Sequence, residues 1–549
     1  MAETTEKTVH ELLAESLVAH GVSHIFGLVG DANLFMVDAF VKSGKGRYVG
    51  CAHEASTITA AIGYAQASRK TGVATITHGP GLTNTITALV EGVKGCIPVV
   101  VLCGDTPPND IEHLQHVDQR ELIKATGAGF IELRNPSTAT QDLARAFRQA
   151  TVERRPVVLN MRVDLQWEKA PAIAPPVMQV PDIRAAVPEG ADFDEALGMI
   201  ASARRPIVLA GRGATNPEAR AAILALARRL EAPVATTLKG SGLFHGEDFN
   251  LGVFGTLSTP LTVDVILQSD CVVAFGASLG WLTTATGAYL KGKRVVQVLG
   301  DLLPNERRTE PGIVLVGDPE RTALRMIEVL DEAEIPPSGN TDDDLRKRLQ
   351  DQAEEYAKMP DFAKVAPGTI DLFPTLRRLE SAVPKNRVLV TDLGRFIHSA
   401  WKSFHVTAPE KLIYTAHFAS IGLGLSEAIG AATATQDQTT VLITGDGGFL
   451  MSGLTELSTA IREKLDLVII VCNDGSYGAE HIQFTRRSMD PTVSLLAPPD
   501  FAAVAKAMGA DAVRVTDKDQ ISAAVEAISS RKGPVLIDLV LDPYTVSPT

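Results

Sequence analysis

Short apolar runs rich in valine and isoleucine return along the whole chain, and between them lie longer stretches with helical spacing. "SHIFGLVG", "VATITHG", "PVVVLCGD" and "PVVLNMRVD" punctuate the first 165 residues. A proline-rich stretch, "EKAPAIAPPVMQVPD" at 168–182, then reads as a linker. The second series runs "PIVLAGRG", "APVATTL", "CVVAFGAS", "RVVQVLGD" and "IVLVGD"; a polar segment with one charged helix separates it from the third. That third series is "RVLVTDLG", "KLIYTAH", "TVLITGDGG", "LVIIVCNDG" and "PVLIDLVLD". Strand–helix alternation of this kind predicts an α/β protein of three consecutive doubly wound domains with mainly parallel sheets. The expected boundaries are 1–170, 183–335 and 365–549.

Composition narrows the classes. Of 549 residues, 45% are hydrophobic and 21% charged, close to soluble globular averages, and the formal charge is −13. Lys and Arg form doublets beside acids, such as Arg154-Arg155 after Glu153, and no basic patch with interleaved aromatics suggests a nucleic-acid partner. The amino-terminal stretch is acidic and helically spaced, which argues against a signal peptide. No apolar run approaches 18 residues, so no membrane span is expected. Five scattered cysteines without a CxxC pair predict a reduced, cytoplasmic protein with no disulfide frame.

Ligands of open parallel sheets bind beyond the carboxyl ends of the strands, which draws attention to the strand exits. In "LITGDGGFLMSGL" a lone acid, Asp446, stands among Gly445, Gly447 and Gly448 where a strand gives way to a helix. The next strand exits at "NDGSYG", and Asp474 lies 28 residues after Asp446, the length of one β–α–β crossover. If these strands are neighbours, the two carboxylates and the Ser476 backbone carbonyl make half an octahedron for Mg²⁺ or Ca²⁺. Phosphate oxygens and water would complete it. The glycines let backbone N–H groups and the helix start approach an anion. Taken singly, each stretch is also consistent with a plain turn.

"GDGG…NDGSYG" resembles the signature of thiamine diphosphate (ThDP) enzymes, in the family of pyruvate decarboxylase, benzoylformate decarboxylase and acetolactate synthase. The likeness extends over essentially the whole chain and implies a pyrimidine-binding first domain, a central domain and a diphosphate-binding last domain. One departure is plain: the second metal ligand is usually Asn, and the matching residue is Asp474, with Asn473 as the alternative. By the same resemblance Glu54, in "GCAHEASTITAA", hydrogen-bonds the aminopyrimidine and activates the cofactor. Ile421 props the bent cofactor, the Ala419 backbone accepts its amine, and Tyr477 belongs to the cofactor loop. Asp31 and Glu480 match acids that handle protons in the decarboxylases. The adjacent His-His pair of pyruvate-type decarboxylases is missing; His113 and His116 stand three apart, spaced for one helix face with one of them reaching the site. "LQHVDQREL" is more like acetolactate-synthase relatives, and His78 in "THGPG" is expected on the substrate side.

These features imply a ThDP- and Mg²⁺-dependent 2-oxo-acid decarboxylase/carboligase that works through a C2 carbanion and an enamine. An acetolactate-synthase-like transferase, or a lyase or hydrolase of a 2-hydroxy ketone or diketone, is the alternative. The partners implied are a small-molecule substrate and further copies of the chain, as a homodimer or homotetramer with sites at the subunit interface. Glycines and Arg212 in "LAGRGATNPEA" leave room for FAD without predicting it, since no full GxGxxG is present. That gap also disfavours a dehydrogenase. A non-catalytic scaffold or nucleotide-binding regulator is disfavoured by Glu54 and Asp446.

Overall fold

The apolar runs do become strands, and they assemble into three six-stranded sheets flanked by helices. The structure is a computed structural model that describes residues 6–110, 112–172, 174–177, 186–301 and 312–545. Parts of the 168–182 linker, the first residues of the expected 183–335 domain and the last four of "LDPYTVSPT" lie outside the described residues.

The first sheet runs, in spatial order, Arg47–Gly50, His24–Gly27, Gly72–Ile76, Val99–Asp105, Pro156–Arg162, Gly129–Glu132, all parallel. The last sheet runs Leu412–Tyr414, Arg387–Thr391, Thr439–Gly445, Leu467–Asn473, Val535–Val540, Asp511–Val515. Numbered within each domain, both orders are second, first, third, fourth, sixth, fifth. The middle sheet is instead Asn250–Val253, Val234–Thr236, Pro206–Ala210, Cys271–Phe275, Arg294–Leu299, Ile313–Val316, the order of dinucleotide-binding folds. Its partial glycine motif has a packing role: a Cβ on Gly211 would lie 2.5 Å from the Gly276 carbonyl oxygen. Two neighbouring strand exits close on each other there.

By contact density the chain forms two units. One comprises Met1–Pro181, Pro360–Phe404 and Ile413–Thr549 and holds the first and last sheets; the other, Asp182–Met359 with His405–Leu412, holds the middle sheet. Within the first unit, one hydrophobic cluster takes Ile58, Ile62 and Val101 from the first sheet's side and Leu425, Ile429 and Leu442 from the last. Its centre is a helix pair, Glu54–Ser68 against Gly424–Ala434. Each helix follows the second strand of its own sheet. Both are made of small residues, and Gly63 lies on the Glu427 backbone while Gly430 lies on the Ala60 carbonyl. Any side chain at either glycine would hold the backbones apart. The glycines cost helix propensity, roughly 1 kcal/mol each, and the close approach offsets it.

Among the described residues no helix is long and apolar enough to cross a membrane, and all five cysteines are free thiols. One expectation changes. His113 and His116 do not share a helix, because the helix of that region starts only at Gln119, capped by Asp118, which accepts from the Glu121 N–H.

Candidate active site

Strands Thr439–Gly445 and Leu467–Asn473 are parallel neighbours in register, with Gly445 opposite Cys472. Their exits therefore meet at one sheet edge. A cavity of about 660 Å³ opens there, within the range of small-molecule sites. It gathers every site residue expected from the last domain: Ala419, Ile421, Gly445, Asp446, Gly447, Gly448, Asp474, Ser476, Tyr477 and Glu480.

Helix begins at Asp446 itself and continues through a π-helical segment, Phe449–Gly453, into Leu454–Arg462. A helix start at a glycine turn aims backbone N–H groups at an anion. The Asp446 side chain is buried, and its Oδ2 has no hydrogen-bond partner. Burial first, and then the charge of Asp474, raise its carboxyl pKa to about 7. A buried, unpartnered carboxylate oxygen beside a second carboxylate is costly unless a cation arrives. Asp474 is buried too; its Oδ1 accepts from the Ser476 N–H at 2.9 Å and the Ser476 hydroxyl at 2.7 Å. Among the described residues no group of three or more His, Cys, Asp or Glu could hold a metal unaided. Two carboxylates and a backbone carbonyl suit Mg²⁺, which keeps phosphate and water in its shell. The residues fit a metal–diphosphate pair. Asn473, the alternative ligand, does not line the cavity; its side chain is buried, and its Nδ2 donates to Asp538 Oδ1 at 2.9 Å. The glycines also admit protein groups: a Cβ would meet the Tyr477 ring at Gly447 and Asp392 Oδ2 at Gly448.

Ile421 is half-buried at the cavity wall rather than enclosed in the core, and Ala419 before it has the left-handed φ of 61°. Gly422 pins this segment from both sides. Its N–H donates to Asp392 Oδ2 at 2.9 Å, and its carbonyl accepts from the Ser452 hydroxyl in the π-helical segment. Asp392, at the exit of strand Arg387–Thr391, also accepts from the Leu393 N–H at 2.7 Å and the Thr415 hydroxyl at 3.0 Å. Burial raises its pKa. Sequence reasoning missed Asp392, although an acid just past an apolar strand was the same signal that marked Asp446.

The residues expected from the first domain are not in this cavity. Glu54 opens its helix, half-exposed, and its Oε2 accepts from the Asn84 side-chain amide at 2.9 Å. His78 is buried, its Nδ1 unpartnered, and its ring meets that of His113 edge-on at 5.0 Å. Burial, then His113, lower the His78 pKa and so favour the neutral imidazole; a backbone hydrogen bond, Asp105 and Asp31 oppose the shift. Asp31 is exposed and is not a helix cap, that position being taken by Asn33. His116 turns away, with Nδ1 at 3.0 Å from the Thr106 hydroxyl. Thus two histidines do meet, but they come from different loops.

Two buried glutamates, also missed, hold the strand exits. Glu456 Oε1 accepts from the N–H groups of Ala52 at 2.8 Å and His53 at 3.0 Å, directly before Glu54. Glu91 accepts from the N–H groups of His417 at 3.0 Å and Phe418 at 2.6 Å, directly before Ala419. Each glutamate stands on the helix that follows the third strand of its sheet, and each reaches the exit of the other sheet's second strand.

Sequence comparison agrees with this arrangement. Residues 7–126 match the thiamine pyrophosphate enzyme N-terminal TPP binding domain, 193–327 the central domain, and 392–539 the C-terminal TPP binding domain. The chain belongs to the thiamine diphosphate-dependent enzymes, in the group that includes acetolactate synthase and pyruvate decarboxylase. It is 28% identical over 542 residues to the acetolactate synthase isozyme 2 large subunit of Escherichia coli (strain K12), covering 96% of this chain and 95% of that one. Against the acetolactate synthase large subunit of Parasynechococcus marenigrum it is 27% identical, covering 96% and 86% of the two chains. For acetolactate synthase 1, chloroplastic, of Oryza sativa subsp. japonica the identity is 26%, with 97% and 84% covered.

Proposed function

We infer that this enzyme uses ThDP and Mg²⁺ to release CO₂ from a 2-oxo acid and joins the remaining fragment to a second carbonyl compound, as an acetolactate-synthase-type carboligase. The observation that carries the reading is the buried, unpartnered oxygen of Asp446 at a helix start that lines a cavity with Ile421. When bound, ThDP would supply the carbanion chemistry of this reaction at its C2 carbon. Asp446, Asp474 and the Ser476 carbonyl would hold the metal, and the turn at Gly447 and Gly448 would admit the diphosphate. Ile421 would keep the cofactor bent, and the Ala419 carbonyl would accept its amine hydrogen bond. Glu54 holds a proton against the aminopyrimidine. His78, its neutral form favoured, can take or give a proton at the substrate side, with His113 against its ring.

Glu54 and the cavity have to meet on one cofactor, yet Glu54 does not line that cavity. The reading therefore includes a second copy of the chain that brings its Glu54, His78 and His113 to this cavity, in a cytoplasmic homodimer or homotetramer. A simple decarboxylase that releases aldehyde is the second reading. Glu480 favours it, because it lies on the first turn of helix Gly478–Arg486 at the cavity wall, placed to protonate the fragment. Nothing in either reading calls on FAD.

Product NMR on the purified protein with ThDP, Mg²⁺ and a panel of 2-oxo acids tests the reading. Acetolactate or another 2-hydroxy ketone formed by ligation is expected. Aldehyde alone, with or without an added acceptor, would replace it by the decarboxylase, and no turnover of any 2-oxo acid would overturn both.

A further inference from the structure

The second carboxylate of the metal site has a cation of its own. Arg395 Nε lies 2.5 Å from Asp474 Oδ2, with both side chains largely buried, at 13% and 7% exposure. The same guanidinium donates through Nη1 to the Pro543 carbonyl at 2.7 Å and through Nη2 to the Asp542 carbonyl at 2.8 Å. The fork is therefore held by two backbone oxygens as well as by Asp474. The pair is laid over Gly478, where a Cβ would meet Asp474 Oδ2 at 2.7 Å and Arg395 Cδ at 2.8 Å.

Where the family's usual ligand is a neutral amide, this chain has an acid, which adds one negative charge to a site that must take a diphosphate. We propose that the Arg395–Asp474 ion pair stands in for that amide, so that Arg395 restores the charge balance under which the metal and diphosphate bind. Arg395 is here a positioning residue acting through Asp474. The bonding capacity is sufficient. An ionised carboxylate has about four acceptor positions; Ser476 takes two at Oδ1 and Arg395 one at Oδ2, which leaves one for a metal ion. A guanidinium suits this task better than an ammonium, because its planar fork can serve the carboxylate and two carbonyls at once.

The inference rests on the ThDP·Mg²⁺ reading above, and a double-mutant cycle separates the two. ThDP affinity in Mg²⁺ is measured by calorimetry on the full-length protein, and thermal midpoints are measured without cofactor, for the parent, Arg395→Met, Asp474→Asn and the double variant. Arg395→Met should weaken ThDP binding at least tenfold and lower the cofactor-free midpoint, since it leaves a buried carboxylate unpaired. Adding Asp474→Asn to it should bring affinity back within about threefold of the parent and restore the midpoint. Affinity lost in Arg395→Met and not recovered in the double variant would overturn the proposal and make Arg395 a direct phosphate contact. Unchanged affinity in Arg395→Met would overturn it as well. A parent that binds no ThDP in Mg²⁺ would instead remove the functional reading, and this inference with it.

Discussion

The two ends of the chain fold to the same strand order and present opposite kinds of carboxylate. At the last sheet's edge Asp446 is buried and one of its oxygens has no partner; at the first sheet's edge Glu54 is half-exposed and already bonded to Asn84. On the proposed reading the first arrangement receives a cation inside a walled cavity. On the same reading the second, already bonded within its own domain, acts on a cofactor held beyond its own sheet. The difference teaches that one fold can make either an anchor or a tool, according to whether the acid closes on its own loop or points out of it.

The comparison breaks most completely at the helix crossing both ends share. Gly430→Val would drive a side chain into the Ala60 backbone, and a loss of at least ~3 kcal/mol in urea-unfolding stability is expected. Next comes the anchor. Asp446→Asn should reduce Mg²⁺-dependent ThDP binding at least a hundredfold by calorimetry, yet stabilise the cofactor-free protein above pH 7. The sign follows from linkage. With a folded pKa of about 7 against an ordinary value near 4, the folded chain keeps a proton that the unfolded chain releases. Cofactor-free stability therefore falls as pH rises from about 4 to about 7, by up to ~4 kcal/mol, and the Asn variant should lack that slope. Retained metal-dependent binding would move the diphosphate elsewhere.

Glu54→Gln tests the tool. ThDP affinity should stay within about threefold, while C2 proton exchange, followed by NMR, slows by at least a hundredfold; unchanged exchange would remove Glu54 from the chemistry. The smallest effect belongs to the clamps. Glu456→Ala removes the acceptor of the two N–H groups on the exposed Ala52–His53 loop, at a cost of ~0.5–1.5 kcal/mol for each bond. Hydrogen exchange at the Ala52 and His53 amides should quicken at least tenfold, with Glu456→Gln intermediate. Equal protection in all three proteins would mean that the loop before Glu54 is held by other contacts.

Much of this was legible in the sequence, for local reasons. Strands show as apolar runs, and the pairing of Asp446 with Asp474 follows from one crossover length. The strand orders were not legible, because they are set by which crossovers pass over the sheet rather than by any run of residues. Arg395 was unreadable for a related reason. An arginine after "TDLG" carries no period that points to an aspartate in another loop. Glu91 and Glu456 look like ordinary helix glutamates until the facing backbone is seen. His78 and His113 were each singled out, but only the fold puts their rings together, and it does so without the helix their neighbourhood suggested.

The exchange between Glu91 and Glu456 has a consequence for how such a chain can change. Each end offers the other the same patch, a glutamate and a strand exit, and receives the same patch in return. That is the logic of an isologous contact between identical subunits, made here within one polypeptide. It is what duplication of a single ancestral domain would leave behind. Each glutamate bonds to backbone N–H groups, which every residue but proline supplies, so the side chains at 52–53 and 417–418 can drift freely while Glu456 and Glu91 cannot. Specialisation is open to the side chains of the strand exits; what the seam between the ends fixes is the two glutamates and the path of the backbone they hold.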